Sequence, residues 1–267
     1  MTPAVAVAQF APGPDQAANL AEMRRLATTA VERGAGLVVF PEYSSHFDAN
    51  SKASLVEHAE ALDGPFVAGL MSIAADLGIV AVAGMIESTD DPAKVSNTLI
   101  AVSPQGERLA VYRKQHLYDA FGDTESDRIL AGSIAPPETF AWQGFTVGLQ
   151  TCYDIRFPEV TRRLVDAGAD LVLVPAEWVR GPLKEHHWRT LVTARAIENT
   201  IYVAAADHAP PVGAGNSMVV DPMGVELDTI GEAVDVAVAH ITPARITDVR
   251  RVNPALALRR YRVEPRD

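Results

Sequence analysis

Residues 145–168, FTVGLQTCYDIRFPEVTRRLVDAG, read as a buried strand, a turn at Cys152 and a helix-like run opening at Pro158. Cys152 is the only cysteine in the 267-residue chain. A side chain at such a strand-to-helix turn is expected to be exposed at the C-terminal edge of a sheet, near the positive end of the helix. Working outward, Glu42 ends the apolar run LVVFPE and Lys114 ends LAVYRK. An acid, an ammonium and a thiol at three strand ends point to covalent thiol hydrolysis.

The order of elements around these residues repeats. The first half reads strand (PAVAVAQF), helix (about 17–33), strand (LVVFPE), helix (GPFVAGLMSIAADLG), strand (IVAVAGM) and the hairpin NTLIAVSPQGERLAVYRK. In the first helix Leu20, Met23, Ala27 and Ala30 recur at helical spacing, with Gly34 as a stop. The second half reads the strand into Cys152, a helix, DLVLVPAEW, a helix through HHWRTLVTARAIENT, IYVAAAD and the hairpin SMVVDPMGVELDTI, which turns at Asp221–Gly224. Each half makes a sheet with helices on one face and leaves the other face apolar. Packing the two bare faces together predicts an α/β fold in four layers, an α-β-β-α sandwich with an internal pseudo-twofold repeat. A TIM barrel would need eight regular β/α units, which the two hairpins interrupt. Under this repeat Glu42 and Glu177 hold analogous strand ends (FPE and PAE), so both are expected to border one central site.

Composition narrows the function. With 48% hydrophobic and 21% charged residues the chain is an ordinary globular one, and no linker or charge block divides it, so one domain over 1–267 is expected. The apolar runs are strand-sized, and the opening MTPAVAVAQFAP carries no basic leader and reads as a first strand. The single cysteine forbids an internal disulfide and fits a cytoplasmic protein. A formal net charge of −11 argues against nucleic acid or an anionic membrane as the main partner.

A thiol with an ordinary pKa of about 8.5 needs a base or an electropositive setting to act at neutral pH. Glu42 is the candidate base if partial burial raises its pKa. Lys114 would stabilise a thiolate and then an oxyanion, with the backbone N–H of Tyr153 as second donor. Tyr43, Tyr118 and Trp178 are candidate pocket walls. Asp154 and Arg156 read as braces for the turn, and His116 as a structural hydrogen-bonding residue. None of the seven histidines falls into a metal-ligand spacing, and no phosphate-binding glycine motif occurs.

The stretches VVFPEYS, YRKQHLYDAFGDTES and TCYDIRFPE, together with NSMVVDPMG and the terminal RRVNPALALRRYR, resemble the nitrilase, or carbon–nitrogen hydrolase, superfamily over nearly the whole chain. The wording CYDIRFP with KQHLYDAFG looks most like its Nit-type amidases, a branch that includes omega-amidases and deaminated-glutathione amidases. The resemblance implies a Glu42–Lys114–Cys152 triad, with Glu125 as a second glutamate orienting substrate and catalytic groups. It also implies a homodimer or higher assembly, no metal and no cofactor. Many relatives carry a small or amide residue where this chain has Glu177.

The expected activity is therefore hydrolysis of a small carboxamide through a Cys152 thioester. Two rivals remain. The same machinery would serve an N-carbamoyl group or a nitrile, and released carbon dioxide would mark the carbamoyl reaction. A silent, metabolite-binding relative would fail to acylate Cys152. Glu177 is expected to need a partner, either an internal one such as Arg180, Lys184 or Arg156, or a donor group of the substrate.

Overall fold

A computed structural model describes residues 2–51 and 54–266. The first half contains β1 (Ala4–Gln9), α1 (Gln16–Glu32), β2 (Leu37–Val39), α2 (Ser54–Glu57), α3 (Pro65–Leu77), β3 (Val80–Ser88), β4 (Val95–Val102) and β5 (Arg108–Arg113). The second contains β6 (Thr139–Trp142), β7 (Phe145–Leu149), α4 (Pro158–Asp166), β8 (Leu171–Ala176), α5 (Lys184–Asn199), β9 (Tyr202–Asp207), β10 (Met218–Val220) and β11 (Glu226–Thr229). β12 (Asp235–His240) and α6 (Pro243–Val252) end the chain.

The strands form two six-stranded sheets, β12-β1-β2-β3-β4-β5 and β11-β10-β9-β8-β7-β6. Period-2 alternation divides their side chains between two kinds of core. Val5, Val7, Leu37 and Val39 of the first sheet meet Val147, Leu149, Leu171 and Leu173 of the second. The alternate residues Ala6, Ala8 and Val38 pack under Met23, Leu26 and Leu70 of α1 and α3. Val172, Val174 and Val203 likewise pack under Trp188, Val192 and Leu164 of α5 and α4. Three apolar seams between four layers make the α-β-β-α sandwich, and the two separate sheets exclude the barrel.

The repeat superposes β1–β5 on β7–β11 in sheet order. Two strands extend the expected pattern. β6 pairs antiparallel with β7, and β12 pairs antiparallel with β1. They hold equivalent edge positions, yet β6 directly precedes its partner while β12 comes from the far end of the chain. The first helix begins at Gln16 because the Asp15 carboxylate caps it, accepting from the N–H groups of Ala17 and Ala18. The turn at Asp221–Gly224 is present, with the Asp221 side chain accepting from Met223 and Val225. No helix among the described residues is long and apolar enough to cross a membrane.

Candidate active site

β2 stops at Val39, and the chain runs on through Phe40 and Pro41 to Glu42 beside β3. Gly84 of β3 permits that approach, since a Cβ there would lie 2.6 Å from the Glu42 Cα. Tyr43 then turns with φ +54°, and Cys152 turns with φ +44°. Both are left-handed conformations that cost an ordinary residue roughly 1–3 kcal/mol and recur where geometry is imposed by function. Cys152 opens a 3-10 turn, Cys152–Arg156, that precedes α4. The expectation of an exposed thiol is corrected here. Cys152 is 6% exposed, because the facing sheet closes over the turn, and its thiol points to the Glu177 carbonyl at 3.5 Å.

Asp154 braces this turn. Its carboxylate accepts from the N–H and Nδ1 of His116, from the Tyr112 hydroxyl at 2.7 Å and from the Thr151 N–H. His116 also stacks on Phe157. Arg156 does not brace the turn in the same way. Its guanidinium lies 4.6 Å from the Trp178 ring centre, and its Nε and Nη2 are buried without a hydrogen-bond partner.

Lys114, immediately after β5, is 2% exposed and stands between two carboxylates. Its Nζ donates to Glu42 Oε1 at 2.9 Å and lies 2.9 Å from Glu125 Oε2. Glu125, which opens a second 3-10 turn, also accepts from the Tyr43 hydroxyl at 2.8 Å and the Tyr118 N–H at 2.5 Å. Burial would raise the Glu125 carboxyl, but the Lys114 charge and these donors outweigh it and hold it below the ordinary range. Burial likewise opposes the Lys114 ammonium, and Glu125 and Glu42 overcome it, so its pKa lies well above the usual value. Burial, followed by the Glu42 charge, pushes the Cys152 thiol well up, with Lys114 acting against them. At rest the nucleophile candidate is therefore a thiol beside a carboxylate rather than a thiolate.

Two further residues fix Glu42 and were not singled out from sequence. Asn97 of β4 donates to Glu42 Oε1 at 2.6 Å. His208 Nε2 lies 2.6 Å from the Glu42 carbonyl, and burial depresses its pKa to about 4, so the neutral ring donates there. Asn97 stands between Ser96 and Thr98 in the polar part of β4, which does not set it apart, and His208 follows β9 with nothing to distinguish it from a loop residue.

Glu42, Lys114, Glu125 and Cys152 line a cavity of about 380 Å³ that also includes Tyr43, Tyr118, Tyr153, Glu177 and Trp178. Glu42 and Glu177 do border one site, as the repeat requires: the Glu177 N–H donates to Glu42 Oε2 at 2.6 Å. Tyr43 is more than a wall, since its hydroxyl belongs to the Glu125 network. The Tyr118 hydroxyl accepts from Lys184 Nζ at 2.7 Å, and the Trp178 indole donates to the Lys184 carbonyl at 2.8 Å. None of the three internal partners considered for Glu177 pairs with it. Arg180 reaches Glu185 and Glu232, Lys184 reaches Tyr118, Arg156 lies against rings, and Glu177 Oε1 is buried without a partner. No group of three or more His, Cys, Asp or Glu among the described residues is arranged to hold a metal ion.

Comparison with known proteins bears on this geometry. The carbon–nitrogen hydrolase family model matches residues 4–251. A deaminated glutathione amidase of Escherichia coli O157:H7 is 37% identical over 257 residues, covering 96% of this chain and 97% of that protein. A deaminated glutathione amidase of Synechocystis is 35% identical, covering 96% and 98%. The NitFhit protein of C. elegans has a TM-score of 0.87 at 29% identity, with 97% of this chain and 66% of that chain covered. An amidase from the nitrilase superfamily of Nesterenkonia has a TM-score of 0.81 at 30% identity, with 96% and 97% covered. Sequence match, two-sheet fold and cavity agree: the chain belongs to the carbon–nitrogen hydrolase family, as a hydrolase of carbon–nitrogen bonds other than peptide bonds.

Proposed function

We propose that this protein is a thiol-dependent amidase that hydrolyses a small carboxamide to a carboxylate and ammonia. The observation that carries the reading is the Lys114 ammonium held between Glu42 and Glu125 on a cavity that also receives Cys152. Glu42 takes the thiol proton as Sγ bonds to the carboxamide carbon. The carbonyl oxygen becomes an oxyanion, met by Lys114 and by the N–H of Tyr153 in the first turn of the 3-10 segment, where N–H groups lack intrahelical partners. The C–N bond then breaks, and Glu42 returns its proton to the departing ammonia. Water, deprotonated by Glu42, attacks the thioester, and the carboxylate leaves as the thiol recovers its proton. In the Nesterenkonia amidase an acetamide moiety adds covalently at the active-site cysteine of a variant, which supports a nucleophilic role for Cys152 by analogy.

The test is a panel of amides, including short aliphatic amides, omega-amides of 2-oxo acids and deaminated glutathione, read by ammonia release and intact mass. Wild type should form a transient acyl adduct, and Cys152→Ala should lose turnover while remaining folded. Residual activity above about 1% in folded Cys152→Ala excludes the covalent route.

The proposal extends to assembly as a cytoplasmic homodimer. Ile197, Met223 and Val225 are each about half exposed, and the Gly224 turn lies against Ile197, so they form one apolar patch. The terminal segment is anchored to its own subunit by the Arg259–Asp166 pair, while Leu258 and Tyr261 remain exposed. Light scattering at micromolar concentration should give twice the chain mass; a monomer rejects the dimer.

A further inference from the structure

The Glu177 backbone is fixed on both sides of its side chain. Its N–H donates to Glu42 Oε2, its carbonyl meets the Cys152 thiol, and the next N–H, of Trp178, donates to Asp207 Oδ1 at 2.6 Å. The side chain is thus delivered to the cavity beside the reacting sulfur, and it lines that cavity. Its Oε1 is buried and unpartnered, and no nearby cation is bonded to it: Arg156 lies over the Trp178 ring at 4.6 Å. Lys114 is bonded to Glu42 and Glu125, Lys184 is tethered to the Tyr118 hydroxyl and lies over the Phe121 ring, and Arg180 faces Glu185 and Glu232. Other charges felt at this carboxyl are chiefly negative, from Glu42, Glu125 and Asp123. A buried polar group without a partner costs roughly 1–3 kcal/mol, and a native site that retains one presents it to something.

Resting on the amidase reading, we propose that Glu177 is a specificity-determining residue that receives a primary amine on the acyl part of the substrate, selecting amino-bearing carboxamides over their alkyl counterparts. Burial and then the Glu42 charge lift the Glu177 carboxyl well above the ordinary range, which favours its protonated form. A neutral amine entering takes that proton; an ammonium entering displaces it to solvent. Either path ends in the same charge-assisted hydrogen bond, and a methyl group in the same place leaves Oε1 unpaired. Discrimination by such a buried polar group exceeds what apolar contact supplies, because the wrong substrate leaves the site unsatisfied.

Two matched pairs of amides test this, glycinamide against propanamide and 4-aminobutanamide against pentanamide, each differing by an amine in place of a methyl. In wild type kcat/KM should favour the amine member of at least one pair by about 10-fold or more. Glu177→Gln, which keeps the shape but cannot ionise, and Glu177→Ala should each bring that ratio to about 1 or below. A wild-type preference for the alkyl member in both pairs overturns the proposal. An amine preference that survives in folded Glu177→Gln overturns it as well. These failures leave the amidase reading standing. The absence of both turnover and a Cys152 adduct across the full amide panel would instead remove the amidase reading, and this inference with it.

Discussion

The Glu177 N–H donates to Glu42 Oε2 at 2.6 Å, joining the ends of β2 and β8, which are equivalent strands of the two repeats in two different sheets. Glu42 is thereby held from all sides: Oε1 by Lys114 and Asn97, Oε2 by the second repeat, and its carbonyl by His208. A base fixed in this way loses little orientational freedom when the thiol proton arrives, which is the preorganisation such chemistry requires.

Lys114→Met keeps the apolar stem and removes the charge. Glu42 and Glu125 then share a buried space with no cation between them. Breaking one partner out of a buried charged network costs about 3–5 kcal/mol, and loss of an oxyanion donor lowers kcat by roughly 10²-fold or more. Urea unfolding and ammonia release measure the two effects, and wild-type values for either remove Lys114 from the network or from the chemistry.

Glu125→Gln is not a silent isostere. Both Glu125 oxygens accept, Oε1 from Tyr43 and Lys114 and Oε2 from the Tyr118 N–H, so a new NH₂ group must face a donor. The variant should lose about 10-fold or more in kcat, while Cys152 remains open to alkylation by iodoacetamide. Loss of alkylation along with turnover would show that Glu125 shapes the turn rather than the substrate.

Asp207 is fully buried with Oδ2 unpaired, and burial, opposed by the Trp178 N–H, lifts its carboxyl well above the ordinary value. A raised native value favours the protonated form. Its stabilising effect is complete below the unfolded-state value and is lost as pH rises toward the native one. Asp207→Asn removes this loss, so the stability of the variant relative to wild type should climb with pH, by up to about 1.4 kcal/mol per unit. A flat difference between pH 5 and pH 9 would contradict the assignment.

His208 titrates with the opposite sign. Its native pKa of about 4 lies below the ordinary 6.5, so the neutral form is favoured and its contribution is complete above pH 6.5. That contribution, about 3 kcal/mol, is lost as pH falls toward 4. Because carboxyls titrate over the same interval, the readout is the difference between wild type and His208→Gln. That difference should shrink on acidification; one that stays constant rules out a neutral buried ring.

Much of this was legible because the apolar runs are clean. Strands buried on both faces announce themselves, and Glu42 and Cys152 stand just past such runs, while Lys114 follows the half-exposed edge strand β5. β6 was passed over because four residues at a sheet edge leave little pattern, with Thr139 only half-buried and Ala141 exposed. β12 holds the short apolar run VAVA, but its partner lies more than two hundred residues away, and local pattern carries no such information. Asn97 and His208 were missed for a related reason: they act by completing the hydrogen bonds of another residue, and spacing in one dimension does not reveal whose. The thiol was expected in the open because a single sheet edge is open, whereas two sheets face to face close over it.

The pairing of β12 with β1 also bears on how the protein is made. The outer neighbour of β1 is supplied by residues 235–240, which are synthesised more than two hundred residues later. Until then β1 presents a bare row of backbone donors and acceptors along the five apolar residues Ala4 to Ala8, an edge that invites pairing with other chains. Glu42 and Lys114 belong to that same unfinished sheet. A chain interrupted between His208 and Asp235 would therefore possess all the residues of its chemistry and still lack a complete sheet to hold them. Such fragments should precipitate or fall to proteases rather than persist as weakened enzymes.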